Sequence, residues 1–86
     1  MAMTPEAKVK ARVRKILDEM GIYHFSPYQA GMGRAGIPDI IACYNGLFLA
    51  IECKAGKGKT TALQERELNA IRTAKGLAFV INEENM

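Results

Sequence analysis

An α/β domain with two helices packed on a single layer of sheet is what this sequence predicts, and three observations predict it. Apolar residues recur at helical spacing in two stretches, one before and one after a central β-rich region. Asn45-Gly46 lies between two apolar, β-branched runs, a strong hairpin signal because both central residues of a type I′ turn need positive φ. Further short apolar runs precede the hairpin and follow the second helix, so the order reads helix, strand, strand, strand, helix, strand. Eighty-six residues fit one small domain, 1–86, near the lower range where a single core suffices. Oligomerisation is then a natural way to add buried area.

Thr4-Pro5-Glu6 starts the first helix: Thr as N-cap, Pro at the first helical position, and an acid at the positive end of the dipole. Val9, Val13, Ile16, Leu17 and Met20 form its apolar stripe, and Gly21 stops it. Glu6 precedes Val9 by three residues and Val13 by seven, which continues the buried stripe. Two readings stand for it, a dipole-favouring acid and a site acid. Lys8, Arg12, Arg14 and Lys15 spread over the exposed arc, as a solvated face or as contacts to a nucleic-acid backbone.

Ile22 to Tyr28 reads as a strand, shortened or placed at an edge by Pro27. His24, the sole histidine, sits beside two aromatics and reads as a packed structural residue. Gly31-Met32-Gly33-Arg34-Ala35-Gly36 spells G-x-G-x-x-G but is a decoy. A dinucleotide fingerprint needs a helix opening inside it, whereas Pro38 and a β-branched run follow at once. The stretch reads either as an ordinary connection or as a loop whose Arg34 reaches for phosphate.

The hairpin fixes a register. With Asn45 and Gly46 as the loop, Tyr44 faces Leu47, Ala42 faces Leu49, Ile40 faces Ile51 and Asp39 faces Glu52. Like charges directly opposite, with Cβ atoms roughly 5 Å apart, destabilise a sheet. A hard divalent cation held by the carboxylate oxygens would compensate, and Lys54, two residues past Glu52, points to the same place. Asp39, Glu52 and Lys54 thus form one candidate site.

Gly58-Lys59-Thr60 ends like a phosphate-binding Walker loop, but position 53, where the first glycine belongs, is cysteine. Nucleotide binding is therefore a poor second reading, and Lys57 and Lys59 read as a basic lip beside the site. Thr61-Ala62-Leu63-Gln64 fits a capping box opening the second helix, with Gln64, Leu68 and Ile71 on its inner face. Gly76 ends that helix, Leu77 to Ile81 forms a last buried strand, and Glu83 to Met86 is a polar tail.

Composition narrows the class. Hydrophobic residues at 49% and charged residues at 24% are globular, and 12 basic against 9 acidic residues give a net charge of +3. That charge permits a nucleic-acid partner without requiring one. Cys43 and Cys53 lack zinc spacing, face Phe48 and Pro38 in the hairpin register rather than each other, and read as small buried hydrophobes. No apolar run is long enough to span a membrane, and a cytoplasmic location is expected.

Pro38-Asp39 and Glu52-Cys53-Lys54 on adjacent strands match the PD-(D/E)XK nuclease signature. Together with Gly36-Ile37 before them and Gln64 after, the chain resembles the VRR-NUC branch over essentially its whole length. Phe79-Val80-Ile81-Asn82 stands where the branch name leads one to expect Val-Arg-Arg. The resemblance implies a restriction-endonuclease-like αβββαβ core and a metal-dependent DNA endonuclease. It implies Mg²⁺ or Mn²⁺ held by Asp39, Glu52 and the backbone carbonyl of Cys53, with Lys54 acting on the attacking water. Gln64 would orient Lys54 or that water, and Glu6 would hold a second ion. Lys8, Arg12, Arg34, Lys57 and Lys59 would contact DNA. It further implies a homodimer on branched DNA such as a four-way junction, the apolar surface around Tyr23, Phe25 and Tyr28 being the expected contact. The competing reading is a nucleic-acid-binding module that kept the fold and lost the chemistry.

Overall fold

In the computed structural model, which describes residues 3–27 and 35–86, helix α1 (Pro5–Glu19) starts where the capping signal places it. The Thr4 hydroxyl accepts the Ala7 amide at 3.1 Å, and Pro5 occupies the first turn. At the far end the Gly21 amide donates to Asp18 and the Ile22 amide to Leu17, which turns the chain into the sheet. Val9, Val13 and Leu17 are the buried residues of α1. Ile16 and Met20 lie at the margin of the stripe and are exposed, contrary to the sequence reading.

The described strands are β1 (Tyr23–Phe25), β2 (Ile40–Tyr44), β3 (Leu47–Cys53) and β4 (Leu77–Ile81), and they form one mixed sheet in the order β1-β2-β3-β4. Asn45 and Gly46 both take positive φ, +51° and +79°, as a type I′ turn requires. The predicted register follows: Ile40 pairs with Ile51, Ala42 with Leu49, Cys43 with Phe48 and Tyr44 with Leu47. Strand β1 lies at an edge of the sheet and is shortened within Ile22–Tyr28, as Pro27 leads one to expect. It pairs antiparallel with Ile41–Cys43 only, ends before Pro27, and Tyr28 lies outside the described residues.

Helix α2 (Ala62–Thr73) carries the chain from β3 to β4, which runs parallel to β3 as a β-α-β crossover demands. Its end differs from the expectation. Lys75, at φ +75°, is the left-handed residue after the helix, while Gly76 is needed for space: a Cβ there would come within 2.8 Å of the Ile71 side chain.

Val9, Val13, Leu17, Ile22, Ile40, Ala42, Ile51 and Cys53 make the core between α1 and the sheet. Because side chains alternate along a strand, Ala50 and Glu52 face the other way, toward α2 and its buried Leu68. Two expectations change here. Cys43 is exposed, because it shares the α2 side of the sheet at a position α2 leaves open. Strand β4 is an edge rather than a buried strand, with Leu77 and Phe79 more than 40% exposed. The tail is also more ordered than its polarity implied. Asn82 and Asn85 tie a turn together, their side chains taking each other's backbone amides at 3.1 and 2.7 Å, and Met86 packs against the core.

Candidate active site

Alternation along β3 sends Cys53 into the apolar core and Glu52 to the opposite face, where it is only 2% exposed. A buried carboxylate needs partners. Gln64 Nε2 donates to Glu52 Oε2 at 3.1 Å, and Lys54 Nζ lies 3.6 Å from the same oxygen. Lys54 follows the last residue of β3, so its ammonium reaches round the end of the sheet to α1, 3.8 Å from Glu6 Oε1. Glu6 itself is half exposed.

Asp39 occupies a bend one residue before β2, and the β2–β3 ladder stops at Ile40 and Ile51. Its carboxylate takes the place of the next rung: Oδ2 accepts the Cys53 amide at 2.8 Å. The expected opposition of Asp39 and Glu52 is thus made by a side chain reaching across. Burial first, then the charge of Asp39 and a hydrogen bond to it, push the Glu52 carboxyl up to about 8, while Lys54 pulls it down. Burial and the same two carboxylates raise the Cys53 thiol to about 12, which leaves it protonated and unreactive.

Gln64 serves two functions at once. Its backbone and side chain complete the capping box with Thr61, the side-chain Oε1 accepting the Thr61 amide at 2.8 Å. That bond fixes which end of the amide is the donor, and the donor end faces Glu52. Gln64 thus contacts the Glu52 carboxylate directly. Gly36 brings this turn to the acids: a Cβ at position 36 would sit 2.6 Å from the Leu63 carbonyl and 2.9 Å from the Gln64 amide. Only glycine lets the segment leading into Asp39 lie this close to α2.

The remaining candidates fall on the surface around this cluster. Lys57 and Lys59 are exposed in the loop between β3 and α2, and Lys8 and Arg12 are exposed on α1. Arg34 lies outside the described residues. His24 pairs with α1, its Nε2 lying 2.6 Å from Asp18 Oδ1. Lys10 was missed by the sequence reading. It is half-buried one turn after Glu6, and its charge acts on the Cys53 thiol, so it belongs to the surroundings of the site. The signal available for it was its spacing of four from Glu6.

A family model for archaeal Holliday junction resolvases matches residues 7–81, from the first turns of α1 to the end of β4. The chain belongs to that family. With it comes membership of the PD-(D/E)XK nucleases. Among solved structures the chain is similar to one titled VRR_NUC domain protein, with a TM-score of 0.67 and 20% identity over 95% of this chain and 80% of that one. At that identity the likeness concerns the fold, which is the predicted α/β arrangement. No curated protein matches the chain in sequence.

Proposed function

We propose that this nuclease is a divalent-metal-dependent DNA endonuclease that cuts branched DNA as a homodimer. One observation carries the metal reading: Glu52 is 2% exposed and beside Asp39, and burial and the Asp39 charge push its carboxyl up although Lys54 lies 3.6 Å away. A cation between the two carboxylates would favour the ionised form that burial and Asp39 now oppose. The donors fit Mg²⁺ or Mn²⁺, being hard oxygens. The family resemblance adds the Cys53 backbone carbonyl as a third donor; among the described residues no three His, Cys, Asp or Glu side chains converge. Such an ion, when bound, offsets the charge of the scissile phosphate and acidifies a water molecule.

The chain's own groups set the geometry. Asp39 is anchored by the Cys53 amide, and Glu52 is aimed by Gln64. Lys54, only 12% exposed and held between Glu52 and Glu6, would orient the attacking water by donating a hydrogen bond to it. Glu6 is the candidate for a second ion, at the cost of releasing Lys54. Lys57, Lys59, Lys8 and Arg12 would neutralise backbone phosphates.

A twofold dimer would supply two sites for the two opposed strands of a four-way junction. Tyr23 and Phe25 support this reading. They are 71% and 48% exposed, their rings meet edge to face at 6.3 Å, and on the same side of the sheet Cys43 and Phe48 are also exposed. Incubating labelled four-way junction and linear duplex with the protein in Mn²⁺ and mapping the cuts tests the whole proposal. Paired cuts in the junction, absent with Asp39→Asn, are expected, together with a dimer in sedimentation. Equal cutting by wild type and Asp39→Asn would remove the metal site. Junction binding without any cutting would favour the non-catalytic alternative.

A further inference from the structure

The basic surface beside the site holds an acid that does not belong to it. Glu83 Oε1 accepts the backbone amide of Gly56 at 2.9 Å, joining the tail to the loop after β3 across 27 residues of sequence. Glu83 also lines one shallow cavity with Lys8 and Arg12 of α1. Resting on the DNA-cleaving reading above, we propose that the Gly56 amide, together with Lys8 and Arg12 on the cavity that Glu83 shares with them, is a subsite for one phosphate of the nucleic-acid backbone. Glu83 fills it from within the chain until nucleic acid displaces it.

A carboxylate and a phosphodiester oxygen accept from the same donors, so an amide already bonded to one is suited to the other. Gly56 has φ +56°, nothing lies within 4 Å of where its Cβ would be, and Gly58 closes the turn by donating to the Ala55 carbonyl at 2.9 Å. Gly56 lies two residues beyond Lys54, within about 7 Å along the chain, so the subsite adjoins the candidate catalytic residues. Fully exposed, Glu83 is held low by hydrogen bonds from its own amide and that of Gly56, and so stays ionised as an anion should here. Its release would not unravel the tail. Asn82 and Asn85 hold the turn without it, and the Asn85 side chain donates to the Val80 carbonyl at 2.9 Å.

An internal occupant present for most of the time lowers apparent affinity by the fraction of molecules left open, about five- to tenfold for a contact populated 80–90%. Binding of a fluorescent four-way junction in EDTA, compared among wild type, Glu83→Ala and Glu84→Ala, reads this effect. The neighbouring Glu84→Ala removes the same charge from the same turn and leaves the Gly56 amide covered, whereas Glu83→Ala removes the acceptor itself. Glu83→Ala should tighten binding about five- to tenfold and Glu84→Ala less than about twofold. In amide NMR spectra inorganic phosphate should shift Gly56 in Glu83→Ala at lower concentration than in wild type. Equal gains from both substitutions would reduce the effect to net charge and overturn the proposal. So would weaker binding by Glu83→Ala, which would make Glu83 a tether for the loop, or a Gly56 amide that ignores phosphate. None of these readouts involves cleavage. A protein that never cuts DNA but passes them would lose its nuclease mechanism and keep the subsite; one that cuts but fails them would lose only the subsite.

Discussion

Cys53 and Glu52 are neighbours on β3, 0% and 2% exposed, and burial means opposite things for them. Cys53 completes an apolar cluster with α1, where burial itself is the stabilising term. Glu52 points the other way, where burial is a cost offset by Gln64 and Lys54 and opposed by Asp39. One strand thus holds a face that makes the fold stable and a face that spends part of that stability on a reactive arrangement. Depth alone does not separate core from site; the chemistry of what surrounds each side chain does.

The sharpest way to break this division is to remove function without touching the core. Lys54→Ala should cut single-turnover cleavage of junction DNA about 1000-fold, equivalent to roughly 4 kcal/mol of transition-state stabilisation, while changing DNA affinity by less than about threefold. Cleavage within tenfold of wild type would take Lys54 out of the chemistry. The converse experiment is on the other face. Ile40, wholly buried against α1, should cost roughly 2–5 kcal/mol in urea unfolding when changed to Ala, by the same amount with or without Mg²⁺.

Glu52→Gln sharpens the contrast through pH. The folded chain holds this carboxyl protonated up to about 8 against an ordinary value of 4.5, so unfolding releases a proton between those values. In chelator-treated wild type the stabilising effect is complete below about pH 4.5 and is lost as pH rises through 8. Glu52→Gln should flatten that decline and be more stable than wild type at pH 8. It should also lose the rise in Tm that Mn²⁺ gives wild type. A Tm that Mn²⁺ raises equally in both would place the ion elsewhere.

The smallest effect belongs to the joint between fold and site. Thr61→Ala removes the cap of α2 and should cost about 1 kcal/mol. The backbone amide of residue 61, which orients the Gln64 side chain, survives this substitution, so cleavage measured well below the Tm should stay within about threefold of wild type. A much larger loss would show that the Thr61 hydroxyl itself is needed to aim Glu52.

Much of this arrangement was legible before any coordinates. Two-residue turn chemistry and the period of two fixed the β2–β3 register, and with it placed Asp39, Glu52 and Lys54 together; capping chemistry located both helix starts and gave Gln64 its place. Those are local rules, acting over a few residues. What covers a face is not local. That Cys43 is exposed, that β4 is an edge, and that β1 pairs over three residues depended on where α2 lies across the sheet and on the length of β2 available for pairing. The same holds for the contacts that set the chemistry. Asp39 on the Cys53 amide, Gly36 against the first turn of α2, and Glu83 on Gly56 join segments 14 to 27 residues apart, through bonds that local pattern cannot anticipate. Sequence named the groups and the faces they occupy, whereas packing of one element on another decided how deeply each is buried and what it meets there.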